Sequence, residues 1–207
     1  MSDRYDTTSN VEGQYQPGSG ASVLKNKLGI VDSDEMNQVE LELLEDLTLA
    51  LLDQIEVDQQ LGISDLCDWH RRWMGTVYDW AGEYRTVNMS KDGFPFAASH
   101  LIPALMETFN DKYLSSLTPC DRMNDDELIE ALATVHVEFV LIHPFREGNG
   151  RLARLLATVM ALQAGKPLLD FSTLNDHKDA YVAAIQAGMD DVEPMKDLFR
   201  RVLLESL

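Results

Sequence analysis

Twelve consecutive residues, His143-Pro-Phe-Arg-Glu-Gly-Asn-Gly-Arg-Leu-Ala-Arg154, gather a histidine, a carboxylate, two glycines around an asparagine, and three arginines between two segments of helical pattern. Histidine titrates near neutral pH, so His143 can take a proton from an incoming hydroxyl. Gly148-Asn149-Gly150 can adopt positive φ and turn successive backbone N–H groups inward as a nest, with the helix opening at Arg151 adding its positive dipole end. Such a concavity suits phosphate oxygens. Arg151 and Arg154, three residues apart on one helix face, can both reach the same polyphosphate. Cations at a helix N-terminus are unfavourable unless an anion is near. Glu147 beside the nest would repel a phosphate unless a cation lay between them, and Mg2+ is commonly held by one or two carboxylates plus phosphate oxygens. The charges fit a Mg-nucleotide.

Each feature also has an ordinary reading. A histidine at a helix end is often a cap or a satisfied core group, Asn-Gly is often a hairpin turn, and an arginine pair is often solvated surface. Here the flanks are helical rather than alternating, which weakens the hairpin reading, and the features converge within twelve residues.

The elements that must position this segment are mostly helices. From Asp32, with Glu35 at capping-box spacing, Met36, Val39, Leu43 and Leu47 recur at helical intervals to about Gln54. A second helix is expected from Ser64, with Leu66, Trp69, Trp73 and Val77 on one face, ending at Trp80-Ala81-Gly82. Thr86–Ser90 and Phe94–Phe96 around Lys91-Asp92-Gly93 predict a hairpin. Pro95 places it at an exposed edge. Helices are expected over 99–113, with Leu101, Leu105, Phe109 and Tyr113 as the stripe, and from the Asn124/Glu127 capping box to Ile142, which Pro144 ends. Others run over 151–164, 178–188 and 195–204. The class is all-α with one small β-hairpin. Residues 1–22, polar and Gly-rich, read as an arm that is flexible or docked, ahead of a single domain over 23–207.

Composition narrows the partners. Seventeen Lys and Arg against 35 Asp and Glu give a formal charge of -18, which disfavours direct nucleic-acid binding and an anionic membrane surface. Cys67 and Cys120 lack disulfide or metal-ligand spacing. The N-terminus has no signal-peptide pattern and no run is long and apolar enough for a membrane span, so a cytoplasmic protein is expected.

The run His143-x-Phe145-x-Glu147-Gly148-Asn149-Gly150-Arg151-x-x-Arg154 resembles the full signature of the Fic (Fido) family, and His70, Trp73, Tyr78, Trp80-Ala81-Gly82 and Arg85 are similar to its segment before the flap. Ser22–Ile30 resembles the opening of small stand-alone bacterial members. The resemblance implies a Fic-type helical bundle with a β-hairpin flap at about 86–96 and a catalytic loop at 143–151. It implies protein adenylyltransferase activity: AMP passes from ATP to a Ser, Thr or Tyr hydroxyl of a target protein. In that reading His143 is the base, Glu147 the Mg2+ carboxylate, and Phe145 the inward anchor. Arg146, Gly148, Asn149, Gly150, Arg151 and Arg154 form the nucleotide-binding set, Arg154 on the γ phosphate, joined by Lys91, Gly93 and Phe94 of the flap. Asp92 and Pro95 depart from the common flap pattern. Glycine at 150, where the phosphate-transferring branch has lysine, favours AMP transfer. Transfer of another phosphate-containing group, or a non-catalytic nucleotide-sensing module, are the alternatives.

Many members are restrained by a helix bearing Ser or Thr, three residues, Glu, then Gly or Asn. Thr8-Ser-Asn-Val-Glu12-Gly13 matches those letters, although its Gly-, Pro- and Asn-rich surroundings oppose a helix. With little chain after the last expected helix, the resemblance implies a toxin checked by a separate small antitoxin, with DNA gyrase or topoisomerase IV as targets.

Overall fold

The computed structural model describes residues 11–91 and 93–206, which divide into two compact units. The first comprises the described residues up to Gln54, with Ser64–Pro103 and Pro144–Gly148. Its helix α1 (Ser33–Leu52) is capped by Asp32, whose Oδ1 accepts from the N–H groups of Asp34 and Glu35 at 3.0 and 2.9 Å. Helix α2 (Ile63–Met74) buries Leu66, Trp69, His70, Trp73 and Met74. Glu40, itself buried, binds both: its backbone carbonyl accepts from Trp73 Nε1 at 2.8 Å and its carboxylate from the Tyr78 hydroxyl at 2.7 Å.

Helix α2 stops at Met74, well before the expected end near Gly82. At Gly75, where a helix is weakest, the chain turns, and Lys27 binds the carbonyls released there: its Nζ donates to Gly75 O and its N–H to Val77 O, both at 2.8 Å. The hairpin is present but short. Strands β1 (Ser90–Lys91) and β2 (Phe94–Pro95) pair antiparallel in the register Ser90 to Pro95 and Lys91 to Phe94, with Phe96 N–H extending the contact to Met89 O. Gly93 has φ +83°, as the turn requires.

The second unit comprises Ile55–Ile63, Ala104–His143 and Asn149–Leu207. Helix α3 (Ile102–Phe109) continues through a π turn, Asn110–Leu114, into a short helical turn α4 (Ser115–Leu117). Its inner face carries Ile102, Met106, Phe109 and Leu114, while Leu101 is 48% exposed, so the stripe is rotated by one position from the expected Leu101/Leu105 line. The inner positions run Ile102, Met106, Phe109, a four-then-three spacing in place of the expected four-four, and the π turn that follows adds a residue and so buries Leu114 where Tyr113 was expected. Helix α5 (Asp125–Ile142) opens on the full Asn124/Glu127 capping box and is buried on nearly all sides, the mark of a central helix. Helices α6 (Asn149–Gln163), α7 (Ser172–Asp176), α8 (Lys178–Ala187) and α9 (Glu193–Glu205) complete the unit. Helix α7 was not expected from the sequence. Among the described residues, no helix is long and apolar enough to cross a membrane.

Candidate active site

The twelve-residue segment begins where α5 ends. His143 is the C-cap, in the left-handed conformation at φ 53°, ψ 59°, because Pro144 disfavours the helical alternative. Its Nδ1 lies 3.2 Å from the carbonyl of Val140. A carbonyl can only accept, so Nδ1 carries the proton and Nε2 is the basic nitrogen. The fold thus sets the tautomer that a general base requires.

Residues 144–148 belong to the first unit and are held from several directions. Phe145 is fully buried and stacks on His70 at 4.0 Å with the rings 8° apart. His70 Nδ1 accepts from Gly82 N–H at 2.8 Å, which leaves Nε2–H to donate to the carbonyl of Glu147 at 3.1 Å. That pattern keeps the imidazole neutral and clamps the loop beside the Glu147 carboxylate. Arg85 N–H donates to Pro144 O at 2.8 Å, and its buried guanidinium donates to Val87 O and Ala97 O, both at 2.6 Å, tying together the two roots of the hairpin. His70 and Arg85 are therefore positioning residues. The sequence placed them in a family-like segment, but nothing in the local pattern showed what they hold.

Arg146 is buried, and its Nε donates to the backbone carbonyl of Glu12 at 2.9 Å. The same Glu12 accepts from the backbone N–H of Thr86 at 2.7 Å and from its hydroxyl. Placing Arg146 among nucleotide ligands gains no support from this geometry. That bond engages Nε alone, one of the five N–H groups of the guanidinium. Glu12 lies in a single 3₁₀ turn, Val11–Gly13, and its carboxylate serves the hairpin root; Thr8, Ser9 and Asn10 of the inhibitory pattern lie outside the described residues.

Gly148 has φ +80°, and a Cβ there would stand 2.6 Å from Trp73 Cζ3 and 2.8 Å from Cη2. The expected nest is otherwise revised. Gly148 alone of the three takes positive φ, while Asn149 and Gly150 already belong to the first turn of α6. The anion-binding logic survives by another route, since first-turn N–H groups have no acceptor within their own helix. A Cβ on Gly150 would meet nothing within 4 Å.

Arg151 is half-buried in the same turn. One turn on, Arg154 Nη1 donates to Asn175 Oδ1 at 2.8 Å, and its guanidinium lies over the rings of Phe171 and Tyr181 at 5.7 and 5.6 Å. Behind it, buried His136 Nε2 lies 2.8 Å from the Tyr181 hydroxyl. Burial, and then the nearby Arg154 charge, lower His136 to about 3, while burial pushes Tyr181 up to about 12. Both stay neutral at neutral pH, so the partners of Arg154 are an amide and two rings.

Glu147 is half-buried and its Oε1 accepts from Gly148 N–H at 2.9 Å. Among the described residues no cluster of three or more His, Cys, Asp or Glu could hold a metal by protein groups alone. A single oriented carboxylate is the kind of protein ligand that Mg2+ takes when phosphates supply most of its shell. In the hairpin, Lys91 and Gly93 are exposed and Phe94 is half-buried.

Comparison with known proteins supplies the family. Residues 60–161 match the model of the Fic/DOC family. The protein adenylyltransferase Fic of Nematostella vectensis is 34% identical over 150 residues, 68% of this chain but 32% of that relative, so the chain spans about a third of its length. A probable protein adenylyltransferase Fic of Salmonella typhimurium is 28% identical over 194 residues, 90% of each chain. Among solved structures, the BepC protein of Bartonella tribocorum, crystallised with bound AMPPNP, superposes with a TM-score of 0.74 at 24% identity, over 93% of this chain and 97% of that one, which shows a shared fold. With a family model that spans the segment built up above and relatives that bear the Fic name, the chain belongs to the Fic/DOC family.

Proposed function

We propose that the protein is a protein adenylyltransferase that transfers AMP from ATP to a hydroxyl on a target protein. The observation that carries the reading is His143: its Nδ1–H is fixed on Val140 O, so Nε2 is the proton acceptor at the end of a segment rich in phosphate-binding groups. Relatives that bear the name adenylyltransferase support the same reaction.

In the reaction, His143 Nε2 takes the hydroxyl proton as that oxygen attacks the α phosphorus. The bond to the bridging oxygen breaks, and pyrophosphate leaves with the electron pair. Mg2+, when bound, would neutralise phosphate charge, with Glu147 as its protein ligand. The first-turn N–H groups of α6 hold phosphate oxygens, Gly150 leaves room for them, and Arg151 and Arg154 bind the β and γ phosphates. Positioning and charge neutralisation supply most of such catalysis. Lys91, Gly93 and Phe94 stand on the short exposed hairpin, whose edge suits strand addition by a target backbone.

The finer reading is a cytoplasmic toxin checked by a separate antitoxin, acting on DNA gyrase or topoisomerase IV. Its support is the likeness of Ser22–Ile30 to small bacterial members. Incubation with lysate and ATP labelled at the α or the γ position tests the reaction. Label on protein from the α position alone is expected. Label from the γ position would mean phosphate transfer, and label from neither would mean a nucleotide-sensing module. Growth arrest on expression, absent with His143→Asn, tests the toxin reading.

A further inference from the structure

We infer that Asn175 and Tyr181 are positioning residues that pre-orient Arg154, and that through it they set the preference of the site for a nucleoside triphosphate over a diphosphate. The inference rests on the proposed role of Arg154 at the γ phosphate.

A free arginine side chain samples many rotamers, so using one as a phosphate ligand costs the entropy of holding it still. Here that ordering is built into the fold. Asn175 Oδ1, at the end of α7, accepts from one terminal nitrogen at 2.8 Å. Phe171 and Tyr181 place their rings against the guanidinium. Tyr181 is fixed in turn by the 2.8 Å contact of its hydroxyl with buried His136, whose ring packs edge-on to Phe199 at 5.3 Å.

The chemistry of this shelf matters as much as its geometry. A carboxylate in place of Asn175 would neutralise the arginine and compete with a phosphate. An amide oxygen and two π faces orient it while leaving its positive charge available. The Nε of Arg154 is shielded from solvent and has no hydrogen-bond partner among the described residues, so the shelf leaves donor capacity unspent. The first turn of α6 contributes backbone N–H groups that any polyphosphate can use, whereas Arg154 lies one turn further along. A defect in its orientation should therefore be felt by the terminal phosphate and not by the inner two.

The experiment measures ATP and ADP affinity of the full chain by calorimetry, with melting temperature as the check on folding. Arg154→Ala should weaken ATP at least tenfold and leave ADP within about twofold. Asn175→Ala and Tyr181→Leu should each weaken ATP about three- to tenfold with ADP unchanged, while Tyr181→Phe, which keeps the ring but drops the His136 contact, should lose less than Tyr181→Leu. Asn175→Ala added to Arg154→Ala should change nothing further. Asn175 is exposed, so its replacement leaves the fold intact even if Tyr181→Leu does not. Equal losses of ATP and ADP in Arg154→Ala, or no loss, would overturn the γ-phosphate role and the inference with it. The expected Arg154→Ala result combined with unaltered ATP affinity in Asn175→Ala, or with additive losses in the double variant, would overturn the inference alone.

Discussion

The two glycines of the Gly148-Asn149-Gly150 run should respond oppositely to the same substitution. At Gly148 an alanine must adopt φ near +80°, a conformation that costs an L-residue about 1–2 kcal/mol. Its methyl would also stand 2.6 and 2.8 Å from two atoms of Trp73 and 3.1 Å from Met74 Cε. Trp73 cannot swing aside cheaply, because its Nε1 is bonded to Glu40 O in a buried setting. Overpacking of this kind costs about 1–3 kcal/mol. Gly148→Ala should therefore lose about 2–5 kcal/mol, or roughly 5–15 °C of melting temperature for a chain of this size. Gly150→Ala meets no atom within 4 Å and sits in the first turn of α6 at ordinary φ, so it should be neutral or up to about 1 kcal/mol stabilising. Its methyl would nevertheless occupy space assigned to phosphate, and transfer from α-labelled ATP should fall by at least tenfold. Urea unfolding and label transfer on both variants decide the matter. Destabilisation by Gly150→Ala comparable to that of Gly148→Ala, or full activity in a stable Gly150→Ala, would refute the division of roles.

Three further outcomes are expected. His143→Asn keeps a residue that tolerates positive φ but removes the base, so initial rates should fall about 10²- to 10⁴-fold with ATP affinity within twofold. Arg85→Lys loses the fork that reaches both Val87 O and Ala97 O; stability should drop by about 2–4 kcal/mol, and limited proteolysis should cut first within 86–97. His136 ordinarily titrates near 6.5 but is held at about 3 when folded, so only the unfolded chain takes up its proton between those values. Its contribution is complete above about pH 6.5 and is lost as pH falls toward 3, amounting to about 2 kcal/mol by pH 5. Unfolding free energies at pH 7 and 5 should therefore converge in His136→Gln relative to the parent, and equal differences in the two proteins would assign the acid sensitivity elsewhere.

Much of this was legible in the sequence because its signals are local. The Asn124/Glu127 capping box, the Pro144 stop and the central helix between them depend on neighbours within four residues, and each took the expected form. The end of α2 was misjudged because the partner of its free carbonyls, Lys27, lies almost fifty residues away. The stripe of α3 was misplaced because Leu101 and Ile102, and Leu105 and Met106, are adjacent apolar pairs between which periodicity does not choose, and the burial of Leu114 over Tyr113 follows a π turn that has no sequence signature of its own. At the site, the motif announced its chemistry through residue types, but the groups that hold it were silent. His70, Arg85 and Glu12 contact the motif or the hairpin across long separations, and Asn175 lies in a short helix that no periodicity marked.

Those long-range contacts sort the motif in a way that its letters do not. Phe145, Arg146 and Gly148 are buried, and each meets a protein group that constrains it: a stacked imidazole, a backbone carbonyl at Nε, an indole edge. His143 and Gly150 are accounted for differently. The histidine holds a strained left-handed cap with its basic nitrogen defined, and the glycine is demanded by neither φ nor packing. A residue that the fold does not require is where selection for a ligand leaves its clearest mark. Substitutions in the first group should therefore register chiefly in unfolding experiments, and those in the second chiefly in transfer rates. A variant of Arg146 with normal stability and abolished ATP binding would return that residue to the nucleotide and break the division.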